Sequence, residues 1–342
     1  MSIAETGLPL DQPSDANRVE GQQVLVAIPT LNEAAHIETC IRSLMVGDER
    51  LANVKIVVAD GGSTDATRQI VEELSDEFPN VVLIDNPKKL QSAAVNLVAK
   101  HQSTASHTIL VRCDAHAAYP PAYIMRIADN LAKRNTASLV VCMDAVGDDT
   151  CFQKANAWVV DTPIGSGGSA HRAGARSGLV DHGHHAGFVL DLFNEIGGYD
   201  ESFSHNEDAE LDQRLIAAGG EIWLDASIRI DYHPRSDVRS LAKQYYNYGR
   251  GRARTLIKHR KRPKLRQLAP VALFAGSVLG LALSVITPWS LILPLAYICL
   301  LALVSIWGVL ATKSTCGALA GIAAGTMHMT WAAGFLRQLT YR

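Results

Sequence analysis

The feature that most constrains the fold is a long uncharged stretch near the C-terminus. From Gln267 to Thr312 the chain has 46 consecutive residues without a Lys, Arg, Asp or Glu side chain. Within it, residues 268–287 and 290–311 each have roughly the 20 residues that an α-helix needs to cross a bilayer. The sequence therefore predicts two membrane-spanning helices, joined at Pro288 and Trp289.

A basic segment comes directly before this stretch and predicts its orientation. Residues 250–266 carry nine Lys or Arg side chains and no acid, which is typical of the cytoplasmic flank of a membrane helix. We therefore expect the preceding domain to face the cytoplasm, at the cytoplasmic (inner) membrane. A third uncharged stretch, 315–336, is rich in Gly and Ala and contains His328. The sequence leaves open whether this stretch spans the membrane or lies at its surface.

The remaining composition excludes several classes of protein. Residues 1–21 are polar and lack the apolar segment of a signal peptide, which predicts a disordered tail. The six cysteines are scattered and form no CxxC pair. This spacing predicts neither a zinc site nor a disulfide framework, and it fits a reducing, cytosolic setting. The formal net charge of −2 gives no electrostatic reason to expect a nucleic-acid partner.

The first part of the chain alternates between strand and helix patterns. Short apolar runs predict buried strands at residues 24–28, 54–59, 81–84 and 109–111. Amphipathic patterns predict helices over residues 33–44 and 65–74. Such alternation is typical of a parallel α/β sheet. No GxGxxG follows the first strand, so a dinucleotide-binding domain is disfavoured.

Polar clusters follow each of these strands. They are PTLNE with Thr30 and Glu33, DGGSTD with Asp60, DNPKK with Lys89, and RCDAH with Arg112, Asp114 and His116. Each cluster alone is explained by a turn, a helix cap or a solvated charge. Because the carboxyl ends of parallel strands meet at one edge of a sheet, where ligands bind, their shared position favours a binding site.

Asp114 and His116 are the candidate metal ligands. In an extended segment, residues two apart point the same way, and a carboxylate and an imidazole both ligate divalent cations. Such an ion commonly holds two phosphate groups of a nucleotide. The alternative is a solvated turn, and the position at a strand end favours the metal site.

Asp208 is the candidate general base. In NEDAELDQRL it shares a helix face with Leu211 and Leu215, so we expect partial burial that raises its pKa. The alternative is a first-turn acid favoured by the helix dipole, which explains Glu207 better than Asp208.

Two further clusters have more than one interpretation. His182, His184 and His185 form either a second metal site or, as the better interpretation, part of a pocket. The segment QYYNYGRGRAR, residues 244–254, mixes aromatic and Arg side chains. RNA binding is possible for such a segment, but its place beside the membrane helices favours contact with the membrane surface or a diphosphate.

The quoted motifs, taken in order, resemble glycosyltransferase family 2, and the resemblance covers roughly residues 22–255. The fuller pattern, with GHHAGF and YYNYGRGRART, is similar to the succinoglycan-type exopolysaccharide glucosyltransferases. The resemblance implies a GT-A fold, the Rossmann-like α/β fold of nucleotide-diphospho-sugar transferases, followed by transmembrane helices. The implied divisions are a tail (1–21), a GT-A domain (22–255), a basic juxtamembrane segment (256–267) and a membrane domain of two to three helices (268–342).

The resemblance also implies roles for single residues. Donor binding falls to Thr30, Glu33, Asp60, Lys89, Arg112, Asp114 and Arg250, metal binding to Asp114 and His116, acceptor binding to His184, His185 and Glu207, and base catalysis to Asp208. His116 stands where many relatives have a second Asp. The QxxRW motif of processive relatives is absent, because Asn247 and Tyr248 follow Gln244 in its place. A processive polymerase is therefore not expected, and Arg250 or Arg252 is left to bind a diphosphate.

The implied activity is an inverting, Mg²⁺- or Mn²⁺-dependent transfer of glucose from UDP-glucose. The acceptor would be a polyprenyl-diphosphate-linked oligosaccharide beside membrane lipids, with no nucleic acid involved. One alternative is a polyprenyl-phosphate sugar synthase. Another is a non-catalytic membrane subunit that binds nucleotide or glycan, which the presence of Asp60, Asp114 and Asp208 disfavours. A transporter is disfavoured because the apolar spans contain no acid and no base other than His328.

Overall fold

The computed structural model describes residues 18–169, 172 and 176–340. Most of the predicted N-terminal tail lies outside these ranges. Its last residues are held in place, because the backbone N–H of Val19 donates to Asp129 (3.0 Å) and its carbonyl accepts from Arg50 (2.7 Å). Val19 is also part of the hydrophobic core. Val19, which the sequence analysis places in the tail, therefore packs against the α/β domain.

The strands of the described residues form a single mixed sheet with the order β3-β2-β1-β4-β7-β5-β8-β6. They are β1 (Val24–Thr30), β2 (Lys55–Asp60), β3 (Val81–Asp85), β4 (Ile109–Arg112), β5 (Ser138–Ala145), β6 (Gly178–Val180), β7 (His184–Val189) and β8 (Ile222–Tyr232). The helices of the α/β part, residues 18–258, are α1 (Ile37–Leu44), α2 (Thr67–Glu77), α3 (Gln91–His101), α4 (Tyr123–Arg134), α5 (Cys151–Val160), α6 (Pro163–Ser166), α7 (Leu190–Glu195), α8 (Glu207–Ala217) and α9 (Val238–Lys258). Three helices follow: α10 (Leu265–Leu283), α11 (Ile292–Thr312) and α12 (Ala320–Thr340).

The parallel half of the sheet confirms the strands predicted from the apolar runs. β1 pairs in parallel with β2 and β4, and β2 with β3. Successive side chains of β1 face opposite layers of helices: Val26 joins the core under α1, α2 and α4, and Leu25 the core under α3, α7 and α8. Burial on both faces explains why these strands are continuously apolar rather than alternating.

The other half of the sheet, beyond the strands predicted from the apolar runs, is mixed rather than parallel. β7 lies between β4 and β5 and is antiparallel to both, and β6 is antiparallel to β8. The sequence of β7, HHAGFV, begins with two histidines inside a Gly- and His-rich segment. It therefore lacks the uninterrupted apolar run that identified the parallel strands.

Two helices of the described residues, 265–283 and 288–312, are long and apolar enough to cross a membrane by length and composition. The third, α12, packs on α9 of the α/β part. The backbones are so close that a Cβ on Gly249 would overlap the Trp331 carbonyl, and one on Gly334 would overlap the Tyr246 carbonyl. His328 of α12 also lies 2.8 Å from the Ile164 carbonyl, through Nε2. The stretch 315–336, whose relation to the membrane the sequence left open, thus lies mostly in a helix that packs on the α/β part.

A disulfide joins Cys151 of α5 to Cys316, in the turn between α11 and α12. The expectation that the cysteines form no disulfide is wrong for this pair. The two residues are 165 positions apart, and they meet because the 3-10 turn Thr315–Leu319 packs on α5. Spacing along the chain gives no sign of such a tertiary contact.

Replacing Gly334 with Leu is expected to destabilise the protein by about 1–3 kcal/mol, because the added side chain forces α12 away from α9. The measurement is thermal unfolding followed by tryptophan fluorescence, combined with limited proteolysis after α11. Ala333→Leu, at a half-buried neighbouring position, is the control. Equal unfolding temperatures for Gly334→Leu and the control would contradict the tight packing of these helices.

Candidate active site

A cavity of about 1390 Å³ opens at the carboxyl ends of β1 and β4 and extends to the C-terminal helices. It is lined by most of the side chains predicted from the sequence: Thr30, Glu33, Lys89, Arg112, Asp114, His116, His184, Glu207 and Asp208. Asp60, His185 and Arg250 do not line it. The sheet thus brings together residues that are far apart in the sequence, as the strand-end argument predicts.

The loops after β1 and β2 are joined to each other by hydrogen bonds. Asn32, in the left-handed region with φ of 56°, donates its N–H to Ser63 Oγ (2.8 Å) and accepts from the Thr64 N–H (2.8 Å). The Glu33 N–H donates to Thr67 Oγ1 (2.8 Å). The two loops therefore form one rigid wall of the cavity.

Asp60 has a role in shaping this wall. Its Oδ2 accepts from the Gly62 and Ser63 N–H groups and from Arg68, each at 3.0 Å. Burial alone would raise the pKa of Asp60, but the Ser63, Arg68 and Gly62 hydrogen bonds together lower it. In the described structure Asp60 is thus an ionised residue at the βα turn, beneath the cavity surface.

Asp114 is fixed by its backbone and presents its carboxylate to the cavity. Its N–H donates to the Tyr119 hydroxyl (2.6 Å), while Oδ1 accepts from Gln91 (3.1 Å) and lies 3.4 Å from Nη2 of Arg112. Burial acts to raise the pKa of Asp114, yet nearby positive charge, above all that of Arg112, outweighs it and lowers the pKa. The carboxylate is therefore ionised at neutral pH.

The antiparallel strand β7 brings a histidine to Asp114. β4 and β7 pair with Val111 opposite Gly187, and the same register carried past this pair places Asp114 opposite His184. The His184 Nε2 lies 3.5 Å from Asp114 Oδ2, and burial lowers the pKa of His184. A neutral imidazole therefore stands beside the carboxylate.

His116 lies at the more exposed rim, where its Nδ1 is 3.4 Å from Oε1 of Glu33. Its hydrogen bond with Glu33 raises the pKa of His116 more than burial lowers it. The two histidines beside Asp114 therefore differ in protonation. The raised pKa of His116 favours the imidazolium, and the lowered pKa of His184 favours the neutral ring.

Arg112 bridges the two acids of the cavity. Nη1 donates to Asp208 Oδ1 (2.8 Å) and lies 3.1 Å from the Tyr199 hydroxyl, while Nη2 reaches towards Asp114. Tyr199 also donates to Asp208 Oδ1 (2.8 Å). Arg112 is buried, so its charge acts on both carboxylates with little solvent screening.

The expected rise in the pKa of Asp208 is wrong. Asp208 is partly buried against Leu211 and Leu215 as predicted, and burial alone does raise its pKa. The charge of Arg112, with smaller contributions from His185, His184 and the Tyr199 hydrogen bond, nevertheless holds its pKa well below its usual value. At Glu207, burial and the adjacent Asp208 charge outweigh the opposing effect of Arg112 and raise the pKa to about 7.

A buried chain of side chains lies behind Asp208. One turn along α8, Asp212 accepts from His185 Nε2 through Oδ1 (2.7 Å) and from His182 Nδ1 through Oδ2 (2.6 Å). On its other side His185 Nδ1 is 2.6 Å from Ser138 Oγ. His185, predicted to bind the acceptor, is thus a fully buried support for α8, and His182 reaches the cavity instead.

The sequence left Arg250 and Arg252 as alternatives for binding a diphosphate. Arg252 lines the cavity, whereas Arg250 is exposed on α9 outside it. The sequence analysis did not identify Tyr199, Asp212 and Arg172 as residues of the site. The helical period of α9 explains why Arg252 and Arg250 differ, because residues two apart on a helix lie on different faces.

The donor set around Asp114 fits a divalent cation that is shared with a substrate. Mg²⁺ and similar ions are commonly held by one or two protein groups plus phosphate oxygens. Asp114 offers an ionised carboxylate next to a neutral imidazole, which is the form that ligates metals. Across residues 18–169, 172 and 176–340, no group of three or more His, Cys, Asp or Glu side chains is arranged to hold an ion. An ion bound here would therefore take its remaining ligands from water or from a substrate.

Comparison with known proteins gives consistent relatives. The family model for "Glycosyl transferase family 2" matches residues 25–197. The succinoglycan biosynthesis protein ExoA of Rhizobium meliloti is 44% identical over 316 residues, which is 92% of this chain and 94% of that protein. A dolichyl N-acetyl-alpha-D-glucosaminyl phosphate 3-beta-D-2,3-diacetamido-2,3-dideoxy-beta-D-glucuronosyltransferase of Methanococcus voltae is 26% identical over 237 residues, 66% of this chain and 71% of that protein.

A solved structure also has this fold. The mannosyltransferase PcManGT of Pyrobaculum calidifontis, in complex with GDP-Man and Mn²⁺, superposes with a TM-score of 0.58 at 21% identity. The superposition covers 97% of this chain and 91% of that one. The architecture is therefore the GT-A fold, followed by apolar helices.

Proposed function

The chain belongs to glycosyl transferase family 2, and we propose that it moves a single sugar, glucose from UDP-glucose, onto a lipid-linked saccharide in exopolysaccharide assembly. One observation carries the proposal: Arg112 bridges Asp114 and Asp208 within one cavity. The two acids stand close together, in chemically different surroundings. Asp114 has the surroundings to hold a metal ion that binds a nucleotide diphosphate. Asp208 has the position for activating an acceptor hydroxyl.

Donor binding is assigned to the wall made by the loops after β1, β2 and β4. We assign the base and ribose to Thr30 and Glu33, which line the cavity, and phosphate to Lys89, which lies beside the Gly61–Gly62 turn. Asp60 holds this wall in shape. A Mg²⁺ or Mn²⁺ ion held by Asp114, with His116 or His184, would supply positive charge that stabilises the departing diphosphate.

The transfer is a single displacement with inversion. The acceptor hydroxyl oxygen forms a bond to the anomeric carbon as the bond from that carbon to the UDP oxygen breaks, so an α-linked donor gives a β-linked product. Asp208 takes the hydroxyl proton. Its Oδ1 is engaged by Arg112 and Tyr199, which leaves Oδ2 for the acceptor, and the low pKa of Asp208 keeps it ionised at neutral pH.

The name of one relative supports a lipid-linked acceptor, because that protein adds a β-linked sugar to a dolichyl phosphate-linked sugar. The name of the other, a succinoglycan biosynthesis protein, supports a role in exopolysaccharide assembly. Helices α10 and α11 are suited to hold the catalytic part beside such an acceptor, which raises its effective concentration. The basic segment 250–266 supports a cytoplasmic face for this part at the inner membrane.

A polyprenyl-phosphate sugar synthase is the second candidate. It uses the same donor wall, but its acceptor is the lipid phosphate itself. Asp208 disfavours it, because a phosphate acceptor is already ionised at neutral pH and needs no base. In addition, Arg112 is already paired with the acids of the cavity, and this arrangement suits a neutral hydroxyl better than a second anion.

UDP release by membranes that contain the protein tests the proposal. UDP-glucose, UDP-galactose and UDP-N-acetylglucosamine are compared with a lipid-diphosphate saccharide as acceptor, with and without Mg²⁺ or Mn²⁺. We expect release from UDP-glucose only with metal, and at least about a hundredfold less from Asp114→Ala, because a positioned metal supplies several kcal/mol to the transition state. Release that needs only polyprenyl phosphate would support the synthase, and UDP binding without any release would support a binding subunit.

A further inference from the structure

The cavity does not end at the reacting groups. Beyond Asp208 it continues between the C-terminal helices, where its walls are apolar: Leu273 of α10, Leu300, Leu301 and Val304 of α11, and Met327 and Trp331 of α12. Leu300 is 54% exposed and so offers apolar surface to this part of the cavity. Reacting groups and membrane-type helices thus line one continuous space.

Arginines line the same space. Arg172, Arg252 and Arg266 come from a loop, from α9 and from the start of α10. Across residues 18–169, 172 and 176–340, Arg252 makes no hydrogen bond or ion pair, and burial lowers its pKa. The Nη1 of Arg172 is also buried without a hydrogen-bond partner in these ranges, while its guanidinium stacks 4.4 Å from the ring centre of Tyr232.

Within the described ranges, no carboxylate forms an ion pair with Arg172, Arg252 or Arg266. The acid that acts most strongly on Arg252 is Asp212, and both of its carboxylate oxygens already accept hydrogen bonds from His185 and His182. Asp181, which is also near, is paired with Lys264. Guanidinium groups removed from water are costly unless an anion pairs with them, and they match phosphate oxygens in a bidentate manner.

The arginines and the apolar walls together select an amphiphile with an anionic head. We propose that this part of the cavity binds the prenyl-diphosphate anchor of the acceptor, with the diphosphate at Arg252, Arg172 and Arg266 and the first isoprene units against Leu300, Leu301 and Trp331. The proposal rests on the proposed function for the identity of the acceptor. The binding itself is independent of sugar transfer.

The position of this site suits the reaction. Asp212 follows Asp208 by one helical turn, a rise of about 5.4 Å, and Arg252 lies within electrostatic reach of Asp212. An anchor held at Arg252 therefore places its saccharide between the arginines and the base. The sugar hydroxyl, rather than the diphosphate, then faces Asp208.

The test is calorimetric binding to the full chain in phosphatidylcholine nanodiscs, without a sugar donor. The ligands are geranylgeranyl diphosphate, geranylgeraniol and inorganic diphosphate. We expect the first to bind at least about tenfold more tightly than either of the others. Arg252→Gln is expected to weaken it about tenfold or more, since a charge-assisted hydrogen bond is lost. Arg239→Gln, an exposed Arg on the same helix that does not line the cavity, is the matched control and should leave binding unchanged.

A second pair of variants tests the apolar walls. Leu300→Gln is expected to weaken geranylgeranyl diphosphate binding and to leave inorganic diphosphate unaffected. Leu303→Gln, on the same helix but outside the cavity lining, is the control. Equal affinities for inorganic and geranylgeranyl diphosphate, or equal losses with Arg252→Gln and Arg239→Gln, would overturn the anchor site. The binding test uses no sugar donor, so its failure would leave the evidence from UDP release intact. A failure of UDP release would likewise leave the binding result intact, and the two proposals can therefore fail separately.

Discussion

Replacing Asp208 with Asn is expected to lower kcat by about 10²- to 10⁴-fold, the range that general-base catalysis contributes. The amide keeps the shape of the side chain and its place beside Arg112 and Tyr199, but it cannot take the acceptor proton. The affinity for UDP should change little, because the donor wall lies on the other side of Arg112. The measurements are sugar transfer under single-turnover conditions and UDP binding by calorimetry.

Asp231→Asn is the control for this variant. Asp231 is an exposed carboxylate on another part of the same cavity wall, without contact to Arg112 or Tyr199. It should retain transfer within about threefold, as expected for a surface substitution worth no more than ±0.5 kcal/mol. Wild-type transfer rates in Asp208→Asn would contradict its role as base, and would direct attention to Glu207 on the same turn of α8.

Replacing Arg112 with Met is expected to destabilise the protein by about 3–5 kcal/mol, because it leaves two partly buried carboxylates without their shared cation. In the wild type the pKa of Asp208 is held low. Its ion pair therefore contributes stability above the unfolded pKa of about 3.9, and this contribution is lost only as pH falls through the lower folded value.

In Arg112→Met the sign reverses. Arg112 is the largest of the influences that lower the pKa of Asp208, and without it we expect burial to outweigh the two histidines and the Tyr199 hydrogen bond, so that the folded pKa rises above the unfolded one. The variant is thus destabilised most at neutral pH and regains stability as the pH falls through the raised pKa. Thermal unfolding at pH 7 and pH 5 checks this: the gap between variant and wild type should narrow at pH 5.

Arg112→Lys serves as the conservative variant, because it keeps the charge and loses the two-pronged geometry. It should recover most of the stability but less of the transfer rate. The pKa of Glu207 is raised to about 7, so Glu207 also titrates between pH 5 and pH 7. Adding Glu207→Gln to the wild type and to each Arg112 variant removes this second carboxyl from the comparison. An equal gap at both pH values would contradict the coupling of Arg112 to Asp208.

The parallel half of the site could be predicted because its signals are local. An apolar run followed by a polar turn is sufficient to predict a strand and its carboxyl end, and these ends share one edge. This is why Thr30, Glu33 and Asp114 were found together. The helical pattern around Asp208 was also local, and Leu211 and Leu215 are buried as it indicated.

The rest depends on contacts between distant parts of the chain. Arg112 and Asp208 are 96 positions apart, and the sign of the pKa shift at Asp208 depends on their contact rather than on burial. His184 meets Asp114 only because β7 enters the sheet antiparallel. No spacing in the sequence gives this direction.

The sequence by itself determined the family, the strand ends that line the cavity, and the apolar helices that follow, because each is recorded in neighbouring residues. Only the tertiary structure decided which charges pair and which side chains reach the cavity. Arg252 rather than Arg250 enters it, Asp60 and His185 support it from behind, and α12 packs on α9. The physical reason is that charge pairing and close packing act over a few ångströms in space, and the fold sets those distances independently of separation along the chain.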